Sequence, residues 1–260
     1  MTSILRSPGR AAALAAALAV LGGCALTADR LQQGDAHYRM ATAYLQQSGG
    51  IRNEVNRRQA YSELAQALRL DAKNADYHRL LGAIRLADRN YVGAEQEIRT
   101  ALKLRADFPE ARNDLGSVFA AQGKLTEAVR EFRAAAANPS YTTPQFARWN
   151  LANASYRLGD YTEAAEAYER YLGTVPDDAE GHFLLGMSNA RLGRLAEAER
   201  ALSTSVRLRA GAPRVRYELG MVLFKLDRRR DAAEQFRAVL ELDPQGELGD
   251  QARTYLKLLP

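Results

Sequence analysis

The chain has 260 residues, of which 47% are hydrophobic, enough for one elongated domain. Its 36 Lys and Arg against 31 Asp and Glu leave a net charge of +5, but Arg is interleaved with Glu (Glu95 and Glu97 with Arg99, Glu197 with Arg200). That is a solvated mixed-charge surface and not a basic stripe, which argues against a nucleic-acid partner. One cysteine, Cys24, leaves the rest of the chain without disulfides or thiol chemistry.

Residues 1–23 read as a signal peptide. Arg6 and Arg10 precede an apolar run from Ala11 to Leu21, and Leu21-Gly22-Gly23-Cys24 follows. Eleven apolar residues make a helix of about 16 Å, about half the hydrocarbon thickness of a bilayer, so the run does not span one. The four-residue segment resembles the lipobox of bacterial lipoproteins, in which the Cys is diacylated and becomes the new amino terminus. The alternative is a chance Cys behind an ordinary signal. Ala25, standing where Asp would retain an enteric-type lipoprotein in the inner membrane, is compatible with the outer membrane. Residues 24–34 show no apolar periodicity and are expected to form a tether; fully extended, Ala25 to Gly34 reaches about 33 Å. Removing Arg6 and Arg10 leaves a mature chain of net charge +3.

From residue 34 onward the chain repeats. Ala60, Ala94, Ala128, Ala164, Ala198 and Ala232 recur at separations of 34, 34, 36, 34 and 34 residues, and Gly82, Gly116, Ala152, Gly186 and Gly220 lie twelve residues before the last five. Such small residues let two helices approach closely. Large residues fill the space around them: Met40, Leu81, Leu115, Leu151, Leu185 and Leu219, then Leu64, Ile98, Phe132, Tyr168, Leu202 and Phe236. Gly123, Gly159-Asp160 and Gly193 predict turns inside three hairpins. Asn138-Pro139, Pro176-Asp177-Asp178, Pro213 and Asp243-Pro244 predict the ends or starts of units. This 34-residue period is the signature of tetratricopeptide (TPR) repeats.

The expected fold is therefore all-α, a TPR-type α-solenoid (a right-handed superhelix of helix hairpins). Its repeats run over 34–74, 75–108, 109–142, 145–178, 179–212 and 213–246. The first contains about seven extra residues within 48–56, an enlarged turn. A C-terminal helix over 247–260, with Leu248, Ala252, Tyr255, Leu256 and Leu259 on one stripe, is expected to cap the array.

No catalytic constellation is recognisable. His37, His78 and His182 all occupy the fourth position of their repeats, too far apart to share a metal, and acidic pairs such as Asp177-Asp178 suit helix capping. The expectation is a non-enzyme with no cofactor, no metal and no small-molecule substrate. Arg228-Arg229-Arg230 is expected to be a turn.

In a TPR array, repeat positions two, five, nine and twelve of each first helix line the concave side. Repeats two and three place small or polar residues there, Ser117 and Ala120 among them. Repeats four to six offer Phe146, Trp149, Asn153 and Tyr156, then Phe183 and Met187, then Tyr217, Met221 and Phe224. An apolar row with aromatics and Met is the expected partner-binding groove. The competing reading is packing, since aromatics at positions five and twelve also serve as half-buried framework.

The lipobox, the first-helix segment Tyr38-Arg-Met-Ala-Thr-Ala-Tyr-Leu-Gln46, and Asn138-Pro-Ser-Tyr-Thr-Thr-Pro144 leading into Asn150-Leu-Ala-Asn-Ala-Ser-Tyr156 together resemble the type IV pilus biogenesis TPR lipoproteins, the PilF/PilW/Tgl group. The insertion in repeat one and Ala152 in place of Gly depart from that pattern. The resemblance implies a pilotin: an outer-membrane lipoprotein on the periplasmic face that assists secretin subunits to assemble, needed for pili and for twitching or gliding. An adaptor for another envelope machine (a protease, a peptidoglycan hydrolase or barrel assembly) is the alternative.

Overall fold

The computed structural model describes the backbone of residues 8–259 and the side chains of residues 27–259. Among the described residues there are thirteen α-helices, one short 3-10 turn and no strand. The chain divides into two compact units, residues 1–114 and 115–260, with the division falling inside one helix.

The first unit holds α1 (Pro8–Gln46), α2 (Glu54–Leu70), α3 (Ala75–Ala87), α4 (Tyr91–Leu104) and the start of α5 (Pro109–Ala121). The second holds the rest of α5, then α6 (Leu125–Ala136), α7 (Pro144–Leu158), α8 (Tyr161–Leu172), α9 (Ala179–Arg191), α10 (Leu195–Leu208), α11 (Pro213–Lys225), α12 (Arg229–Leu242) and α13 (Glu247–Leu256). The expected hairpins are α1/α2, α3/α4, α5/α6, α7/α8, α9/α10 and α11/α12, with α13 as the cap: a TPR α-solenoid.

The repeating alanines have no exposed surface in any of the six hairpins. At Gly116 and Gly186 a Cβ atom would lie 2.7 Å from the Phe132 ring and 2.6 Å from Leu202 Cγ. The small residue on the first helix and the large one on the second are thus one steric unit. The buried cluster of the second unit's far end runs from Phe183, Leu202 and Leu219 to Phe236 and Ala252, so α13 covers the last hairpin.

Turns follow the expected chemistry with one variation. Gly123, Gly159 and Gly193 adopt left-handed φ of +77°, +90° and +74°. In the second and sixth hairpins the same place is held by Arg89 (φ +60°) and Asp227 (φ +57°). Asp178 caps α9 by accepting from Glu180 N at 3.0 Å, and it also accepts from the Tyr171 hydroxyl at 2.8 Å. The enlarged turn of the first hairpin contains a 3-10 turn, Gly50–Arg52, and Asn53 starts α2 by accepting from Val55 N at 2.9 Å. Arg57 ties this turn down through the carbonyls of Ile51 and Arg52 at 3.0 and 2.9 Å.

Two expectations fail here. Residues 24–34 are not an extended tether; they belong to α1. Residues 27–33 are exposed, so this stretch of helix needs no apolar stripe, and Gln33 bonds Asp29 one turn away at 2.9 Å. A helix gains only 1.5 Å per residue, so the segment reaches about half the expected distance. Met40 does not fill a core: it is 46% exposed, whereas Leu81, at the same place in the next repeat, is 6% exposed against α2 residues. Leu81 shares its cluster with Leu64 and Ala67 of the preceding hairpin, and among the described residues no hairpin precedes Met40 to cover it in the same way. The side chain of Cys24 lies outside the described residues. No described helix is long and apolar enough to cross a membrane.

Candidate partner-binding face

The candidate face lies wholly within the second unit and is built by α7, α9 and α11. At its start Phe146 is 58% exposed. One turn on, Trp149 is half-buried, its indole walled by Tyr168 and Tyr171 at centroid distances of 5.8 and 5.0 Å. Desolvation, together with a hydrogen bond from its hydroxyl to Asp178, pushes the Tyr171 phenol up to about 12, so it stays a neutral donor. Beside the indole is an open recess of about 240 Å³, with Phe132 and Ala154 in its lining and Ser117, Ala120, Trp149 and Arg157 around it. Ser117 and Ala120 look unremarkable in sequence, yet their small side chains are what leaves the recess open.

Asn153 does not offer a free amide. Its Nδ2 donates to the Trp149 carbonyl at 2.8 Å, and its Oδ1 accepts from the Tyr168 hydroxyl at 3.1 Å. It therefore fixes the wall rather than reading a partner. Tyr156 is half-buried against Tyr161, 5.3 Å away. Phe183 is corrected from groove to core: it is 7% exposed, packed with Leu202, Val215 and Leu219, and the Arg214 guanidinium sits 5.7 Å from its ring centre. Met187 and Met221 are half-buried, with part of each side chain against this cluster and part open.

At the far end, Tyr217 and Phe224 meet Tyr255 of α13 at 6.2 and 5.6 Å, and Tyr255 stacks on Phe236 at 5.2 Å. Desolvation raises the Tyr217 phenol above its ordinary range. The cap thus takes up part of the aromatic surface of repeat six. The open apolar part of the face runs from Phe146 and Trp149 to Met187 and Met221.

The histidines have structural partners. His37 Nδ1 lies 2.7 Å from Glu63, and His78 Nδ1 lies 2.7 Å from Glu97. His78 and His182 each reach back six residues to a carbonyl, Ala72 O at 3.0 Å and Pro176 O at 2.9 Å, and Arg216 does the same with Ala210 O at 2.9 Å. In repeats two, five and six the fourth position therefore clamps the preceding turn, whereas Arg148 of repeat four donates to the Arg170 carbonyl at 3.4 Å. Among the described residues no three His, Cys, Asp or Glu come together as a metal site. Arg228, of the basic triplet, pairs with Glu199 and Asp231 at 2.5 and 2.6 Å, as a helix-starting turn would.

Comparison with known proteins places this geometry. Two "Tetratricopeptide repeat" profiles match residues 94–142 with 149–213 and residues 213–245, more than half of the chain. No curated protein matches by sequence. Among solved structures, Pseudomonas aeruginosa PilF is 19% identical, with a TM-score of 0.70 over 87% of this chain and 99% of its own. PilW, described as a widely conserved type IV pilus biogenesis factor, is 20% identical, with a TM-score of 0.65 over 85% and 98%. YrrB, described as a TPR protein with an unusual peptide-binding site, is 19% identical, with a TM-score of 0.67 over 74% and 97%. TPR arrays are typically protein-interaction scaffolds. The chain belongs to the tetratricopeptide repeat proteins.

Proposed function

We propose that the chain is a lipid-anchored, non-enzymatic assembly factor of the outer membrane that holds a segment of another envelope protein on the α7–α9–α11 face. The observation that carries this reading is the open apolar row beside a side-chain-sized recess, with Trp149, walled by Tyr168 and Tyr171, at its α7 end. An aromatic wall next to an empty recess has the anatomy of an interface hot spot. The lipobox-like Leu21-Gly22-Gly23-Cys24 supports anchoring through Cys24, facing the periplasm. The fold shared with a type IV pilus biogenesis factor supports a client in the pilus machinery. In that setting the client is an outer-membrane secretin subunit, and the chain acts as its pilotin. An unassembled subunit exposes amphipathic segments that need cover until they enter the bilayer.

The test has two arms. Loss of the gene is expected to abolish detergent-resistant secretin multimers on gels; multimers at the normal level overturn the pilotin role. Trp149→Ala with Met187→Ala is expected to abolish capture of the secretin subunit while helicity stays intact. Undiminished capture removes the face from consideration.

A further inference from the structure

Charge is segregated between the two helix types of repeats four to six. α7, α9 and α11 carry six cations (Arg148, Arg157, Arg191, Arg214, Arg216 and Lys225) against two carboxylates, Glu180 and Glu218, a net of +4. α8, α10 and α12 carry six cations against eight carboxylates, a net of −2. The ion pairs seen in this unit join second helices, turns or α13. Arg157, Arg191, Arg214 and Lys225 form none with any described residue. Arg191 and Arg214 instead lie over the Tyr161 and Phe183 rings, at 6.0 and 5.7 Å.

Three of these cations, Arg157, Arg191 and Lys225, stand at the same place in successive repeats, in the last turns of α7, α9 and α11. The helix dipole favours a cation there but does not neutralise it. In the first unit the same place is held by the uncharged Ala87, and the cation at repeat position five of α3, Arg79, is neutralised by Asp114 at 3.0 Å. Glu218 of α11 interacts electrostatically with Arg191, Arg214 and Lys225 without forming an ion pair and offsets part of their charge. The exposed cations still outnumber the carboxylates beside the apolar row, and the net positive potential along that edge selects a partner of opposite charge.

We infer that this face takes an acidic amphipathic segment of a partner protein, its apolar side chains on the Trp149–Met187–Met221 row and its carboxylates along Arg157, Arg191 and Lys225. The inference rests on the partner-binding reading above and adds the charge of the partner. A lipid surface shares the anionic chemistry, but it has no single side chain to seat in the recess beside Trp149.

The probe is an array of synthetic amphipathic 15-residue peptides, with apolar residues at helical or alternate spacing and Glu, Gln or Lys at the polar positions, incubated with the full chain. Retention of the Glu set over the Lys set is expected, weakening with salt. Arg157→Gln with Arg191→Gln should reduce it about tenfold. Trp149→Ala should remove retention of every set. Equal retention of Glu and Lys peptides overturns the charge inference and leaves the groove standing. Retention of no set, in a chain of unchanged helicity, overturns both. Loss of phosphatidylglycerol-vesicle binding in the Arg157→Gln, Arg191→Gln chain, with no peptide retained, makes the face a lipid contact and overturns the inference.

Discussion

Arg89 and Asp227 sit in a left-handed backbone conformation that glycine occupies in the third, fourth and fifth hairpins. For an L-residue with a Cβ that conformation costs about 1–2 kcal/mol, offset in part by the extra freedom glycine would have in the unfolded chain. Arg89 is exposed and forms no ion pair among the described residues, so Arg89→Gly is expected to stabilise by about 0.5–1 kcal/mol, read as a shift in urea midpoint at constant slope. Glu218 offers a test of a different kind. Burial pushes its carboxyl above the ordinary range, while Arg214, Arg191 and Lys225 pull it back less strongly. A raised folded pKa means that the folded state holds the proton more tightly than the unfolded one. Stability contributed by this group is therefore full below the unfolded carboxylate value, about 4.3, and is lost as pH rises through the folded value. Glu218→Gln is expected to raise Tm at pH 7 and to change it little at pH 3. An equal gain at both pH values would mean that the carboxyl's ionisation is not what costs stability.

Among the elements, α13 does more than end the array. Its Tyr255 stacks on Phe236 and meets Tyr217 and Phe224, so it stands where a seventh hairpin's first helix would stand. Tyr255→Ala is expected to cost about 2 kcal/mol, the low end for a large-to-small change because the ring is only half-buried. The same change should widen the apolar face at Phe224, measurable as increased binding of a hydrophobic dye in the still-folded protein. The cap's apolar stripe was legible in sequence because a helix with one apolar side must lie against something. Which residues it would cover was not, since Tyr217 and Phe224 are some 30 to 40 positions away.

For the molecule as a whole, Cys24→Ala is expected to move the chain from the membrane fraction to the soluble periplasmic fraction without altering peptide retention by the face, as cell fractionation and the array would report. Continued membrane association would point to an anchor other than the Cys24 lipid. With the proposed lipid on Cys24, the helical course of residues 24–34 would keep the first unit closer to the membrane than an extended segment, at about 1.5 Å per residue. The repeat architecture was readable from the chain alone, because the steric demand at each hairpin axis is met by local residues that recur every 34 positions: Leu202 against Gly186, Phe236 against Gly220. The folded arrangement decided what no periodicity carries. It put Phe183 in the core and left Phe146 open, committed Asn153 to the framework, and opened a recess at Ser117 and Ala120. Exposure at a given repeat position depends on which side chains the neighbouring hairpin brings to it, and those come from segments the local pattern does not describe.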